Sequence, residues 1–160
     1  MKTANVLVLT LVLLYIDVST EWPTHTVCKE DNLEIYYKSC DPKQDFAFTV
    51  DRCSDITTQT FNIRGAIVLR HSIKELYVKV NLIINGKTVL TYSEALCESG
   101  HSKLRFCGMK KGEHLYYEGP VTLGLKEIPQ GDYIVSVVLT NEDHATVACA
   151  DFTVKNYLDY

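Results

Sequence analysis

The stretch CESGHSKLRFCGMKKGE, residues 97–113, crowds two cysteines, one histidine, two glutamates and four basic side chains into a single run. Four chemistries fit such a set. Cys97, His101 and Cys107 have the donor types of a zinc site. A cysteine beside a histidine is the pair a thiolate nucleophile needs. The clustered lysines and Arg105 could grip a phosphate. The two cysteines could equally staple a loop.

The compartment decides between these. Lys2 precedes the apolar run VLVLTLVLLYI at residues 6–16, and Val18, Ser19 and Thr20 are small enough for cleavage. Residues 1–20 therefore read as a secretory signal peptide, with a mature domain over residues 21–160. The run is shorter than the roughly 18 apolar residues of a spanning helix, and no later segment approaches that length. All six cysteines (Cys28, Cys40, Cys53, Cys97, Cys107, Cys149) lie beyond it. An even number in a secreted chain reads as disulfides, whose connectivity the sequence leaves open. Cys97 and Cys107 are near enough to close a small loop between two strands.

Oxidation removes the thiolates that zinc or nucleophilic chemistry would require. There is no Cys-x-x-Cys, no histidine pair at i, i+4 and no Gly-x-Ser-x-Gly, and no spacing nominates a pair of carboxylates. Asn85-Gly86-Lys87-Thr88 ends like a phosphate-binding loop, but position 81 is Asn where that loop needs glycine. Neither a metal, a cofactor nor an enzymatic activity is expected. A net charge of −4 argues against a nucleic-acid partner, which demands a concentrated positive face. No asparagine begins an Asn-x-Ser/Thr acceptor.

The elements that hold these residues are strands. Apolar and polar residues alternate through Leu33–Tyr37, Phe46–Val50, Phe61–Leu69, Leu76–Ile84, Leu115–Tyr117, Tyr133–Leu139 and Ala148–Val154. A period of two with β-branched and aromatic enrichment marks half-buried antiparallel strands. Asn85-Gly86 is a two-residue hairpin signal. Cys40-Asp41-Pro42, Gly119-Pro120 and the segment at 128–132 read as breaks, and Asp55 to Thr60 as a turn. Seven to nine strands with this spacing predict an all-β fold, an immunoglobulin-like two-sheet antiparallel β-sandwich, with a β-barrel as the alternative.

Trp22-Pro23-Thr24-His25 before Cys28, Ser39-Cys40-Asp41-Pro42 with Gln44-Asp45-Phe46, and Phe106-Cys107-Gly108 with Lys111-Gly112-Glu113 form an ordered series. Ile73-Lys74-Glu75-Leu76, Ile128-Pro129-Gln130-Gly131 and Thr146-Val147-Ala148-Cys149-Ala150 continue it. Over residues 22–154 the chain resembles the ML lipid-recognition family of secreted β-sandwiches. The resemblance implies disulfides Cys28–Cys53, Cys40–Cys149 and Cys97–Cys107, and a deep hydrophobic cavity between the sheets that holds acyl chains or sterols. It also implies a partner, the leucine-rich-repeat ectodomain of a Toll-like-receptor-related receptor. The expected role is a co-receptor for a lipid, phospholipid or glycolipid, secreted and retained at the cell surface, which modulates innate immune and B-cell responses to lipopolysaccharide. A receptor-independent lipid or sterol carrier and a closed-core receptor chaperone are the alternatives.

Strand parity with the family's inward faces nominates the cavity residues. They are Ile35, Tyr37, Phe46, Phe48 and Val50 early in the chain, and Ile63, Val78, Val80 and Leu82 at its centre. Phe106, Leu115, Tyr117, Val121 and Leu123 follow, then Tyr133, Val135, Val137, Ala148 and Phe152. Each is equally placed for an ordinary closed core. Gly65, Ala148 and Ala150 favour a pocket, because small inward side chains leave volume unfilled. Tyr92, Lys103, Arg105, Lys110 and Lys126 are expected at the cavity rim or against the receptor. The stretch LTYSEAL before Cys97 has no arginine and Lys126 sits beside Glu127, so the expected grip on phosphates is weak, and neutral lipids or phospholipids are favoured.

Overall fold

The computed structural model describes residues 21–58, 60–98, 101–102, 104–122 and 128–157. The expected signal peptide at 1–20 lies outside them, as do Lys103, Leu123 and Lys126. Ten strands are formed among the described residues: β1 (His25–Glu30), β2 (Leu33–Ser39), β3 (Ala47–Val50), β4 (Thr60–Val68), β5 (Leu76–Ile84), β6 (Lys87–Glu98), β7 (His101–Ser102), β8 (His114–Thr122), β9 (Gly131–Asn141) and β10 (Thr146–Asn156). They make two antiparallel sheets, a large one in the order β1-β2-β10-β9-β5-β6-β7 and a small one in the order β3-β4-β8. This is the expected β-sandwich, with one strand more than the upper end of the seven to nine predicted.

The local chemistry explains most of the path. Asn85 and Gly86 both take positive φ, 52° and 77°, and Ile84 pairs with Lys87 directly across the turn. Two consecutive left-handed residues match the right-handed twist of the flanking strands, which is why Asn-Gly closes this hairpin. The turn expected over Asp55–Thr60 is a 3-10 helix, and it begins earlier, at Cys53. The break expected at Gly119-Pro120 does not occur, since β8 runs through both residues. Here β8 is the edge of the small sheet, and Pro120 is tolerated because an edge strand has backbone positions whose N–H has no ladder partner to lose.

Disulfides join Cys28 to Cys53, Cys40 to Cys149 and Cys97 to Cys107. The last links β6 to the turn after β7, rather than two strands. The Ser39–Phe46 segment is pinned by buried Asp41. Its carboxylate accepts bonds from the Arg70 guanidinium and the Lys43 amide, and its carbonyl accepts the Trp22 indole N–H at 2.8 Å.

The buried core is split. One cluster gathers Cys28, Leu33, Ile35, Ile56, Ile128, Tyr133 and Val154. A second, around Leu69, Ile73, Leu76, Cys97 and Val147, is separate from it. Ile73 has no exposed surface at all. Replacing it with alanine is expected to cost about 2–5 kcal/mol, read as a lowered denaturant midpoint at unchanged m-value.

Candidate functional site

Between the two closed clusters lie the inward faces of the central strands. On β4 and β8 burial alternates without exception. Phe61, Ile63, Gly65 and Ile67 point in with Leu115, Tyr117, Gly119 and Val121, while their neighbours are exposed. On the large sheet Val78, Val80 and Leu82 of β5 pair with Leu139, Val137 and Val135 of β9. Directly opposed residues share a face, so these six line the same surface. None of them, and none of the inward residues of β4 and β8, is fully buried. Aliphatic side chains on facing sheets normally close on one another. Here both inner walls keep only partly buried residues, with Phe61, Leu82 and Val135 packed against the first cluster and Ile67, Leu115 and Leu139 against the second.

Small residues contribute to that space. A Cβ on Gly65 would meet only the Ala47 carbonyl, at 3.8 Å. Gly119 is different, because the Tyr117 ring lies along the strand over it and a Cβ would come within 3.0 Å of the phenol oxygen. The Tyr117 hydroxyl donates to the Pro120 carbonyl at 3.1 Å, which holds the ring in that position.

β1 lies against β3, and a pocket of about 460 Å³ lies along this seam, between His25, Thr26 and Tyr37 on one side and the segment from Asp45 to Thr49 on the other, with rings packed in its wall. Tyr37 stacks on Phe46 at 5.3 Å and meets Phe48 edge-on at 5.9 Å, and Phe48 meets Phe152 at 5.5 Å. The Tyr37 hydroxyl donates to the Phe46 carbonyl at 2.9 Å, and burial pushes its phenol pKa up. His25 and Asp45 join across the same seam at 2.7 Å. With β1 beside β3, the strand orders place β8 on the β6 side. There Leu90 and Tyr92, opposite Leu82 and Val80, are 52% and 53% exposed. They form an apolar lip with Glu94, whose carboxylate accepts the Tyr92 hydroxyl at 2.7 Å and raises that phenol's pKa.

The stapled loop closes one end of this opening. Ile73 and Gly108 exchange backbone bonds with the loop and the β4–β5 connection (Ile73 N–H to Met109 at 3.0 Å, Gly108 N–H to Ile73 at 2.9 Å). Leu69 and Gly112 clamp it again at 2.8–2.9 Å, with Gly108 and Gly112 at φ of 95° and 91°. Phe106 is thereby held edge-on to Tyr117 at 6.1 Å. Arg105 and Lys110 lie exposed on the loop. Every described cysteine is in a disulfide, and the described residues hold no cluster of three metal-binding side chains.

The sequence-nominated residues therefore divide. Phe48, Ile63, Val78, Val80, Leu82, Leu115, Tyr117, Val121, Val135, Val137, Ala148 and Phe152 are partly buried, as is Phe106. Phe46 precedes β3 and, with Val50, packs toward the β1 side or its end cluster. Ile35 and Tyr133 are buried in the first cluster. Tyr37 is 2% exposed and lines the pocket at the β1–β3 seam. Leu90 and Gly119 were not nominated. Strand parity alone reaches Gly119 once β8 is continued through Pro120, whereas Leu90 follows a β-bulge between the pairs Leu82–Leu90 and Ile83–Thr88 that shifts parity.

A family model described as the ML domain matches residues 34–156. The chain belongs to the ML domain family. Lymphocyte antigen 86 of Gallus gallus is 79% identical over 160 residues, the whole of both chains. Lymphocyte antigen 86 of Homo sapiens is 47% identical over 133 residues, 83% of this chain and 82% of that one. The crystal structure of chicken MD-1 complexed with lipid IVa superposes with a TM-score of 0.84 at 80% identity, covering 86% of this chain and all of the other. This ML domain protein is a binding protein and not an enzyme. Among its described residues, no helix is long and apolar enough to cross a membrane.

Proposed function

We propose that this protein is a secreted lipid-binding co-receptor. It holds the acyl chains of a lipid or glycolipid between its sheets and associates with a leucine-rich-repeat, Toll-like-receptor-related ectodomain at the cell surface, modulating responses to lipopolysaccharide. The observation that carries the reading is the partial exposure of the inward valines, leucines and aromatics of β4, β5, β8 and β9, which leaves apolar surface for acyl chains between the sheets. Each acyl methylene buried there contributes about 0.8 kcal/mol, so a few chains suffice for tight binding without a charged grip. The chicken relative complexed with lipid IVa supports the ligand class, and similarity to lymphocyte antigen 86 is consistent with the receptor class.

Native mass spectrometry of the protein purified from its natural host, followed by organic extraction, tests the cavity. The expected result is a stoichiometric lipid mass retained through high-salt washing, because the described lip is apolar with one carboxylate. A lipid-free, void-free domain refutes the cavity, and lipid lost on raising salt refutes the acyl-driven mechanism. Immunoprecipitation with a leucine-rich-repeat ectodomain tests the receptor arm separately; failure there with lipid present leaves a carrier.

A further inference from the structure

The free edges of the two sheets are built differently. β8, at the edge of the small sheet, carries Glu118 and Pro120, a charge and a missing N–H that discourage strand addition. β6, toward the edge of the large sheet, reads TVLTYS from Thr88 to Ser93 and carries neither device. Among the described residues its outer edge is paired only at Cys97 and Glu98, by β7. Val89, Leu90 and Tyr92 on this bare edge are 57%, 52% and 53% exposed.

We infer that β6 is a self-association edge, to which a second copy of this chain adds its own β6 in antiparallel fashion across a two-fold axis. The strand is self-complementary in that arrangement. With Thr91 on the axis, Leu90 of each copy faces Tyr92 of the other on one side of the joined sheet, and the two threonines meet on the opposite side. Such apolar and Thr–Thr cross-strand pairs are favourable. Between Lys87 and Cys97 the strand's charges are Lys87 and Glu94, near opposite ends. With the bulge at Val89 taking up one extra residue, antiparallel pairing sets Lys87 of one copy alongside Glu94 of the other, twice, whereas parallel addition would stack like charges. An unrelated strand need not match both the apolar pair and the charge pair; a second copy does so by symmetry. Because an antiparallel two-fold stands perpendicular to the sheet, the inner faces of both copies remain on one side and their open edges face each other. One strand per copy buries less than the roughly 1,200 Å² of a standard interface, so the dimer forms reversibly with concentration.

Sedimentation velocity of the mature chain over a wide concentration series tests this. The expected result is a weight-average mass that climbs toward twice the monomer's. Leu90→Lys with Tyr92→Lys should hold the mass at the monomer value while circular dichroism stays unchanged, since both side chains are half-exposed. Lys87→Glu and Glu94→Lys should each weaken association several-fold, and the double exchange should restore it. A mass independent of concentration, a rise that survives the paired lysine substitutions, or a double exchange that fails to restore association each overturns the inference. Protection of β6 amides that appears only on adding a receptor ectodomain overturns it in favour of a heterologous partner. Because Leu90, Tyr92 and Glu94 also form the lip, the series is run on lipid-extracted and lipid-bound protein: an equal rise in mass in both is expected, and a rise confined to the lipid-bound form overturns the inference while leaving the cavity reading intact.

Discussion

A Gly65→Phe variant is expected to melt at or above the wild-type temperature and to lose about a hundredfold in lipid affinity. Gly65 sits in mid-β4 between Phe48 and Tyr117 and points inward. Glycine in a strand carries an entropic penalty and has no side chain to pack, so a β-favouring aromatic removes a cost. The site accepts the first atom freely, because a Cβ there meets only the Ala47 carbonyl at 3.8 Å. A benzyl group projecting toward β5 and β9 would occupy the volume of several methylenes. At about 0.8 kcal/mol each, displacing three or four forfeits about 3 kcal/mol, which is roughly a hundredfold. Ala66→Phe is the matched control, since one residue along a strand reverses the face and Ala66 is exposed. Thermal melting and extracted lipid per mole measure the two effects. If Gly65→Phe destabilises the fold by several kcal/mol, the interior is already full there; if it keeps wild-type lipid, the chains lie elsewhere.

What the residue pattern reveals about such positions has a physical limit. Alternation reports which face of a strand a side chain occupies, and it does so along all of β4. It does not report depth within the sandwich. Ile35 and Tyr133 have inward parity yet sit at the end where the sheets close, packed with Ile56 and Ile128, which approach from the 3-10 helix and the segment before β9. Depth depends on which strands face one another, and that is set by contacts far apart in sequence. The same non-local cause hid the continuity of β8. Gly119-Pro120 is a turn signal in a strand with two neighbours, but it is harmless once the strand order puts β8 at an edge. Leu90 was obscured by the bulge at Val89, whose extra residue moves it to the inward face beside Leu82. Asn85-Gly86 was legible because its backbone requirement is local, and the stapled loop was legible in kind because oxidation follows from compartment rather than geometry.

Removing the three disulfides one at a time should separate stability from lipid retention. In the chain-entropy model the constraint grows with the span closed, and the spans are 109, 25 and 10 residues for Cys40–Cys149, Cys28–Cys53 and Cys97–Cys107. The corresponding stabilisations are about 5, 3.5 and 2.7 kcal/mol. Against a typical total of about 5–15 kcal/mol, Cys40→Ala with Cys149→Ala is expected to leave the domain largely unfolded near body temperature. That pair also sits where the Cys40 amide donates to the Cys149 carbonyl at 3.0 Å, so without the disulfide only backbone bonds tie β10 to the end of β2. Cys97→Ala with Cys107→Ala should cost least in the guanidinium chloride midpoint but most in bound lipid per folded molecule. Freeing Cys107 loosens the turn that holds Phe106 edge-on to Tyr117 at one end of the opening, while the Ile73 and Leu69 backbone clamps keep the rest of the loop in place. An identical loss of lipid in all three variants, tracking stability alone, would show that the stapled loop has no part in closing the cavity. A reversed stability order would show that native-state strain or residual unfolded structure outweighs loop length in this fold.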